Sequence, residues 1–419
     1  MKKVTFVLLV MLLIGVIYSP HAAADNANEL SKTESLTPQG ATIEIIYEGN
    51  WPAAAQTALE HAATIWEPLI SSIPPIKINA TWGTPYQVPL ASTSILVWSG
   101  PSSSMPVPYA WYPLVLVHAI EGHTHCVECE GITQIIFDST LPNWYFGTDG
   151  NPSATQYDFV TVALRQIGLG LGFGHSFRYY PQSGNGQWGT GSNGYDPKIY
   201  DIFIFNGNNQ QLISTAIFPN PSPALYTQMT SDNIFFSGPS TIAANGNAPA
   251  KLNAPTTWWS YSFHYLDESA FPTGTTNALM TPFIQPGEVI HHPGPVALAI
   301  LYDLGWPRPN LTPTFAELPN QFLQMNTVRN NAIDLWAYVH DDQPDNQLIF
   351  QITNSPAAGA GVTLDNNRYI DINPAQNWVG QTTVTVSVTD PSQATSSRSF
   401  VVMVADLPIS HYLPVIWRH

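Results

Sequence analysis

Apolar positions recur along the chain with two different periods, and the change of period marks the elements. ATIEIIYEG (41–49) alternates apolar and polar side chains, which predicts a strand. After Trp51-Pro52, the residues Ala55, Leu59, Ala62, Ala63, Trp66 and Leu69 recur at helical spacing. Pro74-Pro75 ends that helix before a second predicted strand, IKINATW (76–82). Residues 83–130 are rich in Pro and Ser, with a short helix expected near 112–120. ITQIIFDS (132–139) reads as a further strand and NWYFGTDG (143–150) as a turn. Past Asn151-Pro152, the residues Val160, Leu164, Ile167 and Leu171 fall at i, i+4, i+7 and i+11, one buried stripe of a helix. The order strand, helix, strand, strand, helix predicts an α/β layer with the second helix beneath the sheet. From 176 to 260 Gly, Asn, Ser and Pro prevail, and VALAILYDLGW (296–306) reads as a closing helix that ends at Gly305.

The pattern changes after Pro307-Arg308-Pro309. AIDLWAYV (332–339), QLIFQIT (347–353), RYIDI (368–372), TVTVSVTD (383–390) and SFVVMV (399–404) are short alternating segments separated by turn residues. Their spacing predicts a β-sandwich over 311–406, with 407–419 as a tail. This part resembles the cadherin-like, immunoglobulin-like modules of bacterial exported proteins. Within it Asp341, Asp342 and Asp345 form an acidic cluster, read either as a Ca²⁺ site or as a solvated loop.

Composition adds a compartment. Lys2 and Lys3 precede an apolar run from Val4 to Tyr18, and Ala22, Ala23 and Ala24 follow. These features predict a secretory signal over 1–24, with a polar lead-in over 25–40; the alternative is an uncleaved anchor, for which the run is short. The chain carries a net charge of −16, and removal of Lys2 and Lys3 makes it two units more negative. An acidic surface argues against nucleic acid or anionic membrane as partner, and no later segment is long and apolar enough to span a bilayer. The only cysteines, Cys126 and Cys129, stand in HTHCVEC. In an exported chain this spacing reads as a local disulfide, as free thiols, or as a small metal site completed by His123 and His125.

The helix around 160–171 carries the chemistry that matters most. VTVALRQIGLGLGFGHS (160–176) has the frame HExxHxxGxxH, but Arg165, Gln166 and Leu169 stand where His, Glu and His belong. YDFVTVAL (157–164) and GLGF (170–173) flank it, and NALMTPF (277–283) supplies a methionine turn at Met280. On these segments residues 41–307 resemble a metzincin-type zinc metallopeptidase, closest to the leishmanolysin-like branch. The resemblance implies an α+β domain in which two His four residues apart grip zinc and a Glu takes the proton of the bound water. Here Arg165 cannot ligate a cation, Gln166 offers an amide instead of a base, and Leu169 has no ligand atom. The third ligand survives in two candidates, His175 by short spacing or His264 by the spacing of the leishmanolysin-like branch. A plain amphipathic helix is the alternative, but Gly168, Gly170 and Gly172 each cost about 1 kcal/mol there against Ala, so propensity alone does not explain them. His291 and His292 read as surface or turn residues.

The expected protein is therefore an α+β metallopeptidase-like domain followed by an all-β immunoglobulin/cadherin-like sandwich. Its leading function is that of a secreted, non-catalytic module that binds an extracellular protein or peptide in the former cleft and carries no cofactor. The competing expectations are an active zinc endopeptidase with unorthodox ligands, and a surface protein that presents its sandwich.

Overall fold

The computed structural model describes residues 40–85, 90–125, 133–190, 194–259 and 261–406. The expected signal segment 1–24, nearly all of the expected lead-in, the tail 407–419, Cys126 and Cys129 lie outside the described residues.

The first hydrophobic core draws on residues from Ala41 to Trp306. Its sheet contains β1 (Ile43–Glu48), β2 (Ile76–Gly83), β3 (Ala91–Ile95) and β4 (Thr133–Asp138), in the spatial order β1-β2-β4-β3. The strands β1, β2 and β4 run parallel, and β3 runs antiparallel along the edge. Ile76, Ile78 and Ala80 in β2, and Thr133, Ile135 and Phe137 in β4, are buried at alternate positions, which turns one side of the sheet into the core. The Pro- and Ser-rich stretch, expected to hold one helix, thus also contributes the edge strand. Its sequence ASTSI has only one large apolar side chain, too little for alternation to register.

Two helices cover the buried side. Helix α1 (Ala53–Trp66) packs Ala55, Ala58, Leu59, Ala62, Ala63 and Trp66 inward, and α2 (Leu114–Glu121) follows the edge strand. Helix α3 (Phe159–Leu171) is buried at every position, not only along the predicted stripe. Small residues of α1 allow α3 close, and the Trp66 indole donates to the Leu164 carbonyl at 3.0 Å. Phe159 at the start of α3 sits among Trp51, Trp82, Phe137 and Phe146, ring centroids 4.8–6.4 Å away. Beyond it come two short helices, α4 (Pro223–Met229) and α5 (Pro239–Ala244), and the closing helix α6 (Pro295–Leu304). Asp303 of α6 caps α5, accepting from Ser240 N at 2.8 Å and Thr241 N at 2.9 Å. Gly305 ends α6 at φ 110°, and the Trp306 indole donates to Leu171 O at 2.8 Å.

A second core runs from Leu318 to Val404. It lies between a four-stranded and a three-stranded sheet. The strands are β5 (Gln321–Gln324), β6 (Arg329–Asp334), β7 (Ile349–Ile352), β8 (Val362–Asp365), β9 (Tyr369–Ile372), β10 (Gly380–Thr389) and β11 (Thr395–Ala405). The sheet orders are β5-β11-β10-β7 and β6-β9-β8. Val384, Val386 and Val388 of β10 are fully buried at every second position, as are Ile370 and Ile372 of β9. Among the described residues no helix is long and apolar enough to cross a membrane.

Candidate functional site: a cleft over helix α3

Helix α3 is fixed at both ends. Asp158 is its N-cap, accepting from Thr161 N at 2.8 Å and from the Thr161 hydroxyl at 2.7 Å. His291 Nε2 lies 2.8 Å from the same carboxylate oxygen, so this residue anchors the helix start and is not a plain turn residue. At the other end Gly172 has φ 143°, a conformation that excludes most side chains. The two interior glycines answer to neighbours. A Cβ at Gly168 would stand 3.1 Å from both Met280 Sδ and Trp66, and one at Gly170 would stand 2.5 Å from Thr133 Cγ2. Met280 is fully buried in a short turn (Ala278–Met280) against the C-terminal half of α3.

Arg165 and Gln166 are both buried, at 4% and 1% exposure. Arg165 Nη1 donates to the carbonyls of Thr281 at 3.2 Å and Pro282 at 3.0 Å, just beyond Met280. The guanidinium also lies 5.6 Å from the centre of the Tyr265 ring. Burial holds its pKa below the ordinary arginine value, while the nearby Tyr265, Glu288 and Glu268 act in the opposite sense. Burial likewise raises the Glu268 carboxyl. The Thr93 hydroxyl of β3 donates to Gln166 Oε1 at 2.7 Å, so the amide is committed to the edge strand. Arg165, Gln166, Leu169 and residues Ala91 to Thr93 border a cavity of about 260 Å³, whose rim includes Trp259 and Phe283, 37% and 58% exposed.

The two histidine candidates meet. The rings of His175 and His264 are 4.2 Å apart at their centroids. His175 Nδ1 accepts from Phe177 N at 3.0 Å, and its Nε2 donates to the Ser262 carbonyl, so both nitrogens of a neutral ring are engaged. His264 Nδ1 is buried and has no partner. Burial carries the His175 pKa well below its usual value and the His264 pKa down to about 3. His264 also shares a pocket of about 100 Å³ with Leu169.

Lys198, which the sequence reading missed, closes this region. Its Nζ donates to His175 O at 3.1 Å and lies 3.8 Å above the Trp98 ring. Burial lowers its pKa to about 8, against the pull of the buried Asp201 carboxylate. His175, Lys198, Trp258 and His264 border a further cavity of about 570 Å³. In a chain with only 13 Lys and Arg, a lysine between aromatic and Pro-rich segments was the available signal.

Two other candidate groups lie elsewhere. His123 and His125 stand beside Glu121 at the end of α2. Asp341 lies in the field of Asp342 and Asp390, Asp342 Oδ1 accepts from Leu311 N at 3.1 Å, Asn310 donates to Asp390, and the charge of Asp345 acts on Arg368.

Residues 312–403 match the family described as a bacterial Ig domain (Big_9). This assigns the C-terminal sandwich to an immunoglobulin-like fold. No curated protein matches the chain. Among solved structures, the extracellular cadherin domains 1–4 of protocadherin gamma B7 are 19% identical, cover 23% of this chain and 24% of that one, and give a TM-score of 0.20. An endo-fucoidan hydrolase of glycoside hydrolase family 107 is 13% identical over 23% of this chain and 14% of its own, with a TM-score of 0.20. The PKD domain of the KIAA 1837 protein is 22% identical over 22% of this chain and 89% of its own, with a TM-score of 0.17.

Proposed function

We propose that residues 41–307 are a metzincin-type metallopeptidase domain that has lost its zinc, and that the protein is an exported, non-catalytic module binding an extended peptide or protein segment. The observation that carries this reading is the environment of Arg165. A guanidinium at the first ligand position is tied to the two carbonyls that follow Met280, so a fixed single charge joins helix and methionine turn. Met280 against Gly168, and His264 beside Leu169, support the same ancestry.

The catalytic steps of that family have no agents here. No ligand pair exists on α3, and the Gln166 amide has no useful proton affinity and is already bonded to Thr93. The residues around Arg165 thus do not fit a zinc ion. What is left is a groove along β3, an edge strand whose backbone offers hydrogen bonds to an extended chain. Trp259 and Phe283 at the rim favour a segment with apolar side chains. The basic, apolar and small-residue pattern of the first 24 residues and the bacterial Ig match support export.

The test uses the chain without its signal sequence. Binders are selected from a library of extended peptides, and amide exchange is followed with and without them. Slower exchange in residues 91–95 is the expected result, together with no cleavage of casein at any chelator concentration. Chelator-sensitive cleavage that disappears in Gln166→Ala would overturn the reading, as would peptide binding that leaves the β3 amides unchanged.

A further inference from the structure

A second constellation, remote in sequence from α3, has the chemistry that α3 lacks. We propose that Glu121, His123 and His125 form a binding site for a first-row divalent metal ion of the zinc type, at the C-terminal end of α2. The sequence E-G-H-T-H supplies three donors within five residues. Gly122, left-handed at φ 71°, turns the chain so that the two imidazoles come back over the helix end. The three donor atoms, one from each side chain, all lie within 4.8 Å of one another. His123 Nε2 is 3.7 Å from Glu121 Oε2, and His125 Nε2 contacts the same oxygen. Tetrahedral zinc with bonds near 2.0–2.1 Å needs donors about 3.3 Å apart, so small side-chain rotations accommodate the ion.

The surroundings prepare these atoms for a cation. His123 Nδ1 lies 3.0 Å from the Glu121 carbonyl, which can only accept. The proton therefore resides on Nδ1, and the Nε2 lone pair is free for a metal, the arrangement that orients ligating histidines in general. Ser104 Oγ donates to Glu121 Oε1 at 2.5 Å and leaves Oε2 for the ion. The carbonyl end of a helix adds negative potential at this spot. An independent observation comes from α2 itself. His118 is only 6% exposed, its Nε2 has no hydrogen-bond partner, and its ring stacks on His125 with centroids 5.8 Å apart. A buried nitrogen without a partner is costly unless something occupies its lone pair. An ion held by His123 and His125 would put a cation near this ring.

The probe is Zn²⁺ alone, added to the metal-stripped full chain near neutral pH and followed by equilibrium dialysis and calorimetry. About one equivalent is expected, with affinity falling on acidification as protons compete for the imidazoles. His123→Ala and His125→Ala should each weaken binding by at least ten- to hundredfold, and Glu121→Gln, which keeps the side-chain shape, by about tenfold or more. Circular dichroism of each variant establishes that it is folded. Cys126→Ser/Cys129→Ser and His175→Ala/His264→Ala should each retain the equivalent. Failure of the parent chain to bind zinc, unchanged binding by the His123→Ala/His125→Ala double variant, or loss of binding in the cysteine double variant would each overturn the assignment.

Discussion

At position 165 one buried side chain ties helix α3 to the segment that follows Met280. The guanidinium does so through two carbonyl bonds, and being permanently protonated in practice it cannot activate water. The histidines behind it are kept neutral. His264 has its pKa lowered to about 3 by burial, with Lys198 acting in the same sense, and burial, followed by His264, lowers that of His175. A histidine whose folded pKa lies below its unfolded value of about 6.5 stabilises the fold above pH 6.5, and that contribution is lost as pH falls through the interval down to about 3. Denaturant midpoints measured from pH 7 to 4 should therefore decline, and His264→Gln, which cannot charge, should flatten the decline. An equal slope in the variant would mean that His264 is protonated in the folded chain or is exposed.

Among elements, helix α3 shows what could be read from the sequence and what could not. The positions Val160, Leu164, Ile167 and Leu171 announce a buried helix, but burial of the opposite face depends on small residues in α1 and on Met280, more than a hundred residues on. Gly168 and Gly170 looked costly as local choices, and their reason is tertiary: Trp66, Met280 and Thr133 occupy the space of a Cβ. Strand β3 escaped notice because Ser and Thr fill its middle, although it borders the cleft. Its role is set by pairing with β4, which no local pattern encodes. The partners of Arg165 are main-chain carbonyls and leave no mark in side-chain identity. The same helix permits a restoration experiment. Arg165→His, Gln166→Glu and Leu169→His together put two histidines four residues apart on one face, and His264, sharing a pocket with Leu169 and carrying a free Nδ1, is the expected third ligand. Replacing the buried Leu169 should cost roughly 2–5 kcal/mol, so binding must be read on protein shown to be folded. The triple variant should take up one zinc more than its parent, and adding His264→Ala should remove it while adding His175→Ala should not. Loss only with His175→Ala would reassign the third ligand, and no uptake by folded protein would limit the likeness to the fold.

At the scale of the whole molecule, two cores with separate chemistry should respond to separate ligands. In the second, Asp341 and Asp342 adjoin Asp390, and Asn310 donates to Asp390 Oδ2 at 2.6 Å. Asp341 Oδ2 and Asn310 Oδ1 are buried without hydrogen-bond partners. Burial, followed by the neighbouring Asp342 and the charge of Asp390, raises the Asp341 pKa to about 6. A carboxyl with a folded pKa above its unfolded 3.8 favours the fold at low pH, and this stabilisation is lost as pH rises through about 6. Crowded carboxylates and unpartnered oxygens are the donor chemistry of Ca²⁺, which would relieve the repulsion. Calorimetry of the full chain at pH 7.5 should thus show Ca²⁺ raising one unfolding transition and leaving the other in place. A concentration one hundred times the dissociation constant should add about 2.7 kcal/mol to the affected unit. At pH 4.5 the shift should vanish, because protons hold the site. Asp341→Asn should abolish the response and, without Ca²⁺ at pH 7.5, should be at least as stable as the parent, since one of the repelling charges is gone. Asp345→Asn, which alters the carboxylate beside Arg368, should leave the response intact. A Ca²⁺ shift that survives Asp341→Asn, or that persists unchanged at pH 4.5, would move the ion away from these residues and leave the acidic group as a solvated loop.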